Sequence, residues 1–130
     1  MPQVTISIRK GKDSNYRKTL LDAVHEALVL SLKVPQDDRF QRLLEFDSEH
    51  FEFPPHYTED HVTVEIKLFE GRSLNAKRTL YKTLVDTLHQ RLGLARADVF
   101  IVVQDIPLDN WGIRGGIPAS EVDLGFKIDV

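Results

Sequence analysis

Residues 4–11 read VTISIRKG, and sixty positions later residues 64–71 read VEIKLFEG. Apolar side chains recur at every second place in both: Val4, Ile6 and Ile8, then Val62, Val64, Ile66 and Leu68. Thr5, Ser7 and Arg9 take the alternate places, as in a strand buried on one side. Each segment closes on a glycine, Gly11 or Gly71, and the apolar period then becomes helical. Tyr16, Leu20, Val24, Ala27, Leu28 and Leu32 form one stripe; Leu74, Leu80, Leu84, Leu88 and Leu92 form the other. Asp13 or Ser14 and Ser73 are suited to cap these helices at their starts, and Gly93 to end the second. A second strand is expected in each copy, over residues 40–46 and 99–104.

The two stretches belong to a longer repeat at an offset of 60 without a gap. Identities fall at Val4/Val64, Gly11/Gly71, Asn15/Asn75, Thr19/Thr79, Leu20/Leu80, Leu28/Leu88, Leu32/Leu92, Asp38/Asp98 and Phe40/Phe100. The chain therefore reads as one domain, 1–130, made of two β-α-β units at about 2–46 and 62–106. Residues 47–61 form a linker, and a loop and strand follow over 107–130. The expected fold is an α/β (α+β) two-layer sandwich with a four-stranded mixed sheet and two helices on one face. Alternation of Val122, Leu124, Phe126, Ile128 and Val130 adds a C-terminal strand or hairpin. The uncovered sheet face needs a cover, most simply another subunit.

Composition narrows the function. In 130 residues, 17 Lys and Arg stand against 20 Asp and Glu, a net charge of −3, which argues against nucleic acid as a partner. Cysteine is absent, so disulfides and thiolate chemistry are excluded. No apolar run has the length of a membrane span, and MPQVTISIRKGK has no signal-peptide core, so a cytoplasmic location is expected. His50, His56 and His61 sit near Glu49, Glu52 and Asp60 in the linker, where a solvated loop is expected rather than a metal site. His25 and His89 fall within the helices as structural or surface residues. The glycine-rich stretch at Trp111–Gly116 does not stand between a strand and a helix, as a phosphate cradle would.

One candidate for chemistry remains, at the head of the first strand. A small residue at position 2 favours removal of Met1, which would leave Pro2 with a free secondary amine. Such an amine carries protons well when burial or nearby cations bring its pKa toward neutrality. A fall of about 2 units needs about 2.7 kcal/mol of differential stabilisation. With Met1 retained, Pro2 is an ordinary tertiary amide without basicity.

Pro2 ahead of a strand, in a duplicated β-α-β chain of this length, resembles the tautomerase superfamily, and most of all its malonate semialdehyde decarboxylase-like branch. The residues that carry the resemblance are Val34-Pro35-Gln36-Asp37-Asp38-Arg39-Phe40-Gln41, Gly71-Arg72-Ser73, Lys77-Arg78, Leu80-Tyr81, residues 98–102 and Asp109-Asn110-Trp111. The resemblance implies a homotrimer with the proline in a pocket between sheet and loops, and Asp38 as its acidic partner. It also implies chemistry without metal or other cofactor. The decarboxylase holds its substrate carboxylate with two arginines before the second helix. Their places are Leu68 and Glu70 here, which argues against decarboxylation as the native reaction. Arg39, Arg72 and Arg114 are the remaining candidates for binding an anionic substrate, with Trp111 as an apolar wall.

The expected activity is keto–enol tautomerisation of a small 2-oxo acid or enol, with Pro2 as acid and base. A decarboxylase or hydratase using Pro2 and Asp38 is the alternative. A non-catalytic trimer that binds a small ligand or serves a structural role is the alternative of another class.

Overall fold

The computed structural model describes residues 2–125 and Ile128. Strand β1 (Gln3–Arg9) leads to helix α1 (Ser14–Leu32) and strand β2 (Gln41–Phe46). The second unit repeats this as β3 (Val62–Phe69), α2 (Leu74–Leu92) and β4 (Val99–Ile106). The sheet order is β2-β1-β3-β4, with β1/β2 and β3/β4 parallel and β1/β3 antiparallel. The two parallel pairs share one register, since Val4 lies opposite Gln41 and Val62 opposite Val99, a separation of 37 in each. Where the halves meet, Thr5 faces Glu65, its own counterpart at the offset of 60. A two-fold axis between the copies therefore passes between these two residues.

Local chemistry sets the helix ends. The Asp13 carboxylate accepts from Tyr16 N at 2.8 Å, and Ser73 Oγ from Ala76 N at 3.1 Å, so each helix start gains a side-chain cap. Both helices end on a left-handed residue, Lys33 (φ 59°) and Gly93 (φ 69°), which occupy equivalent places in the repeat. Gly11 (φ 125°) and Gly71 (φ 138°) are also equivalent, and each turns the chain from strand to helix. At Gly71 a Cβ would also meet Ile128 O at 3.1 Å.

Val4, Ile6 and Ile8 of β1 and Val62, Val64, Ile66 and Leu68 of β3 are buried under Leu20, Val24, Leu28, Leu80, Leu84 and Leu88 of the helices. Removing these side chains from water supplies about 1.5–3 kcal/mol each toward folding. The sheet's other face carries no helix among the described residues, and Leu44, Phe100 and Val102 stay exposed on it.

Three segments differ from expectation. Residues 106–118, expected as loop, contain a small hairpin, β5 (Gly112–Ile113) paired with β6 (Ile117–Pro118). Gly115 and Gly116, both at positive φ, make the tight turn, and buried Ile113 anchors it against Phe69. The C-terminal alternation expected as a strand pairs with nothing over residues 122–125; Phe126, Lys127, Asp129 and Val130 lie outside the described residues. Val122, Leu124 and Ile128 instead pack on Phe69 and Ile113, so their apolar character reflects a second, smaller core. The linker is exposed over most of its length, His50 and His56 included, as expected, but its aromatic residues pack together. Phe51 meets Phe53 and His61 edge to face, Phe53 and Tyr57 lie tilted against the His61 ring, and His61 is only 3% exposed.

Both segments that follow a second strand open on a short 3₁₀ turn, Ser48–His50 and Leu108–Asn110, again at an offset of 60. Phe51 and Trp111 follow them at equivalent places. Two-fold equivalence thus continues beyond the strands.

Candidate functional site

Strand register determines what surrounds Pro2. Val4 N–H donates to Phe40 O at 3.0 Å, and the parallel pairing carried back two residues sets Pro2 level with Arg39, beside Asp38. The antiparallel pairing carried back one residue sets it level with Leu68, beside Phe69. Pro2 is buried at this end of β1. The turn that carries Asp38 is fixed from two sides: Asp38 N–H donates to Pro35 O at 3.0 Å, and His25 Nε2 bonds Gln36 O at 2.7 Å.

A cavity of about 290 Å³ opens here, walled by Asp37, Asp38, Phe69, Ile113, Arg114 and Leu124. It combines two carboxylates, one guanidinium and an apolar floor, and its walls come from the first turn, β3, the small hairpin and the tail. Arg114 sits at the hairpin tip in the left-handed region (φ 50°), and its Nη1 donates to Asp123 O at 3.3 Å. That contact spans to the tail and leaves the guanidinium exposed beside the cavity.

The other expected residues have different surroundings. Arg39 donates to Asp22 Oδ1 at 2.6 Å on α1 and borders a separate cleft with Leu21 and Gln41. That hydrogen bond holds the Asp22 carboxyl below its ordinary pKa range. The structure thus does not bring Arg39 together with Arg114. Arg72 is 6% exposed and its Nη1 donates to Phe69 O at 3.2 Å, which puts a buried cation behind the aromatic wall of the cavity. Burial pushes the Arg72 guanidinium pKa down, against the opposing charge of Asp105. Trp111 donates from Nε1 to Ile106 O at 3.2 Å and meets Phe69 edge to face at 4.8 Å between centroids. It braces Phe69 rather than lining the cavity.

Phe69, Asp37, Ile113 and Leu124 escaped the sequence reading. Phe69 did leave a signal: it breaks the alternation of β3 by following Leu68, and its counterpart in the first copy is Arg9. An apolar residue at an expected polar place marks a second packing partner. Among the described residues, no cluster of three or more His, Asp or Glu is arranged as metal ligands would be.

The sequence profile of the family described as "Tautomerase enzyme" matches residues 38–114, more than half of the chain, and a second profile of that description matches residues 2–61. The chain belongs to the tautomerase family. This tautomerase is 26% identical over 121 residues to the "Probable tautomerase YusQ" of Bacillus subtilis (strain 168), covering 89% of this chain and 95% of that one. Among solved structures it resembles FG41 malonate semialdehyde decarboxylase inhibited by 3-bromopropiolate, with TM-score 0.79, 25% identity, and 85% and 88% of the two chains covered. It shares its fold with the Q0 fused 4-OT wild-type symmetric trimer, with TM-score 0.81, 24% identity, and 91% and 96% covered. The tautomerase has no helix among its described residues long and apolar enough to cross a membrane.

Proposed function

We propose that this tautomerase interconverts the enol and keto forms of a small 2-oxo acid, with the Pro2 amine, freed by loss of Met1, as the proton carrier. The observation that carries this reading is the register, which continued to buried Pro2 brings it level with Arg39 and Leu68, whose sequence neighbours Asp38 and Phe69 line a cavity edged by Arg114. Neutral amine removes the enol hydroxyl proton, the O–H electron pair becomes the carbonyl π bond, and the C=C pair takes a proton back from the prolinium at carbon. Arg114 holds the carboxylate, and Arg72, behind Phe69, adds positive potential that favours neutral amine and developing enolate. Burial of Pro2 acts in the same direction. Asp38 opposes it, so the amine's pKa reflects the balance of these three.

A second reading rests on Asp38 lining the cavity and on the likeness to the FG41 decarboxylase. With prolinium polarising a carbonyl and Asp38 orienting water, the same residues would support hydration or decarboxylation. The two schemes need opposite charge states of Pro2. Tautomerase activity falls as pH drops through the amine pKa, whereas hydratase activity falls as pH rises through it. We further propose a homotrimer, supported by the uncovered sheet face and the trimeric 4-OT relative, and a cytoplasmic location.

Intact mass of the protein from its native host, followed by enol-ketonisation assays of wild type and Pro2→Ala across pH, tests the proposal. Loss of Met1 and a large drop in the Ala variant are expected. Quantitative retention of Met1, or unchanged ketonisation in Pro2→Ala, overturns it.

A further inference from the structure

We propose that the pocket between residues 51–57 and the start of β3 is a second binding site, for a small uncharged aromatic molecule carrying a hydroxyl group. The pocket has a volume of about 240 Å³ and is walled by Phe51, Phe53, Tyr57, His61, Thr63 and Phe100. Apolar cavities of about 150 Å³ accommodate benzene, so one substituted ring fits this space.

Duplication explains the position. His61 and Val62 head β3 as Met1 and Pro2 head β1, and Phe51 stands where Trp111 does in the second copy. The pocket lies at the opposite end of the sheet from the Asp38 cavity, because β1 and β3 run antiparallel. It shares two equivalent wall positions with that cavity, Phe53 for Ile113 and Pro54 for Arg114, and its walls are mainly aromatic.

Ring geometry and charge select the ligand. Phe51 meets Phe53 at 5.3 Å and 87°, Phe53 meets His61 at 4.6 Å and Tyr57 meets His61 at 4.2 Å, so ring edges and faces are both presented to a guest ring. Arg9 is 4.0 Å above the Phe53 ring, but its donors go to Phe51 O and Glu59, which leaves it committed. Glu52 at the wall disfavours an anion. The polar recognition element is Thr63 Oγ1, bonded at 2.8 Å to His61 Nε2. A threonine hydroxyl has one donor and two acceptor positions, so it can still bond an incoming hydroxyl. His61 Nδ1, also buried, makes no hydrogen bond of ordinary geometry among the described residues, although the Asp98 backbone lies near the ring.

Titrating phenol, benzene and benzoate into the full-length protein, followed by amide chemical shifts, tests this site. Saturable phenol binding is expected, with shifts centred on Phe53, Tyr57, His61 and Thr63. Benzene should bind roughly five- to tenfold more weakly for want of the hydroxyl bond, and benzoate should not shift these amides. Thr63→Val should bring phenol down to benzene's affinity. Equal affinity of phenol and benzene for wild type overturns the proposal without any variant. So do phenol shifts centred on Phe69 and Arg114, absence of saturation, or perturbation of these amides that dilution reverses, which would assign the pocket to a second copy of the chain.

Discussion

The N-terminal end of β1 and the N-terminal end of β3 are the same place built twice. Both lie beside an aspartate whose backbone N–H closes the same turn, Asp38 to Pro35 O and Asp98 to Ala95 O, each at 3.0 Å. The side chains then diverge. Asp98 is 3% exposed and accepts from Thr58 N at 2.8 Å and Thr58 Oγ1 at 2.5 Å, tying the linker to the sheet. Asp38 is half-buried and lines a cavity. Equivalent backbone thus supports a structural carboxylate at one end and a site-facing carboxylate at the other. Thr58 of the linker bonds Asp98, whereas the segment after β4 folds into a hairpin whose Ile113 and Arg114 wall the cavity beside Asp38.

The largest expected effect falls on Pro2, which has Val62 as its counterpart. Pro2→Ala should lower ketonisation by about 10²–10⁴-fold with little change in stability, measured by steady-state kinetics beside urea unfolding. Next, Asp98→Ala should cost about 1–3 kcal/mol in urea unfolding, because buried Asp98 gives up both hydrogen bonds that tie Thr58 of the linker to the sheet. Asp38→Ala should cost less than Asp98→Ala in the same experiment, since Asp38 is half-buried and Asp98 buried; equal losses at both positions would erase the distinction.

A smaller effect separates the two ends by pH. Burial among rings holds the His61 pKa below its usual value, aided by Arg9 and His56 and opposed by Asp98. Below pH about 6.5 the unfolded chain therefore binds a proton that the folded chain resists, and stability falls until the lowered folded pKa is passed. Replacing His61 with Phe should remove that part of the slope, seen as a smaller loss of unfolding free energy between neutral and acid pH. The smallest expected effect compares the helix ends. Lys33→Gly, copying Gly93, should relieve left-handed strain and stabilise the protein by at most about 1 kcal/mol, read as a small rise in Tm.

Strands, helices and the duplication were legible because they rest on periodicity, which local sequence records. Asp13 and Ser73 were legible as caps for the same reason. The cavity was not, since Arg114, Ile113 and Leu124 reach Asp38 only through a hairpin and a tail whose packing partner, Phe69, lies 44 (Ile113) to 59 (Ile128) residues away in sequence. Arg39 shows the converse. It is adjacent to Asp38 in sequence, yet its side chain reaches α1, where Asp22 holds it. Likewise the alternating apolar residues from Val122 onward suggested a strand because alternation reports burial of one side of the chain, and it cannot distinguish a ladder from a cluster.

The axis between Thr5 and Glu65 has a consequence for assembly. Each half supplies a parallel strand pair whose inner edge must find the other half's. Residues 47–61 hold the halves on one chain, so their docking proceeds at an effective concentration on the order of millimolar. Closing the four-stranded sheet is therefore a first-order event, indifferent to how dilute the protein is, and each half is free to drift from the other in sequence without losing its mate.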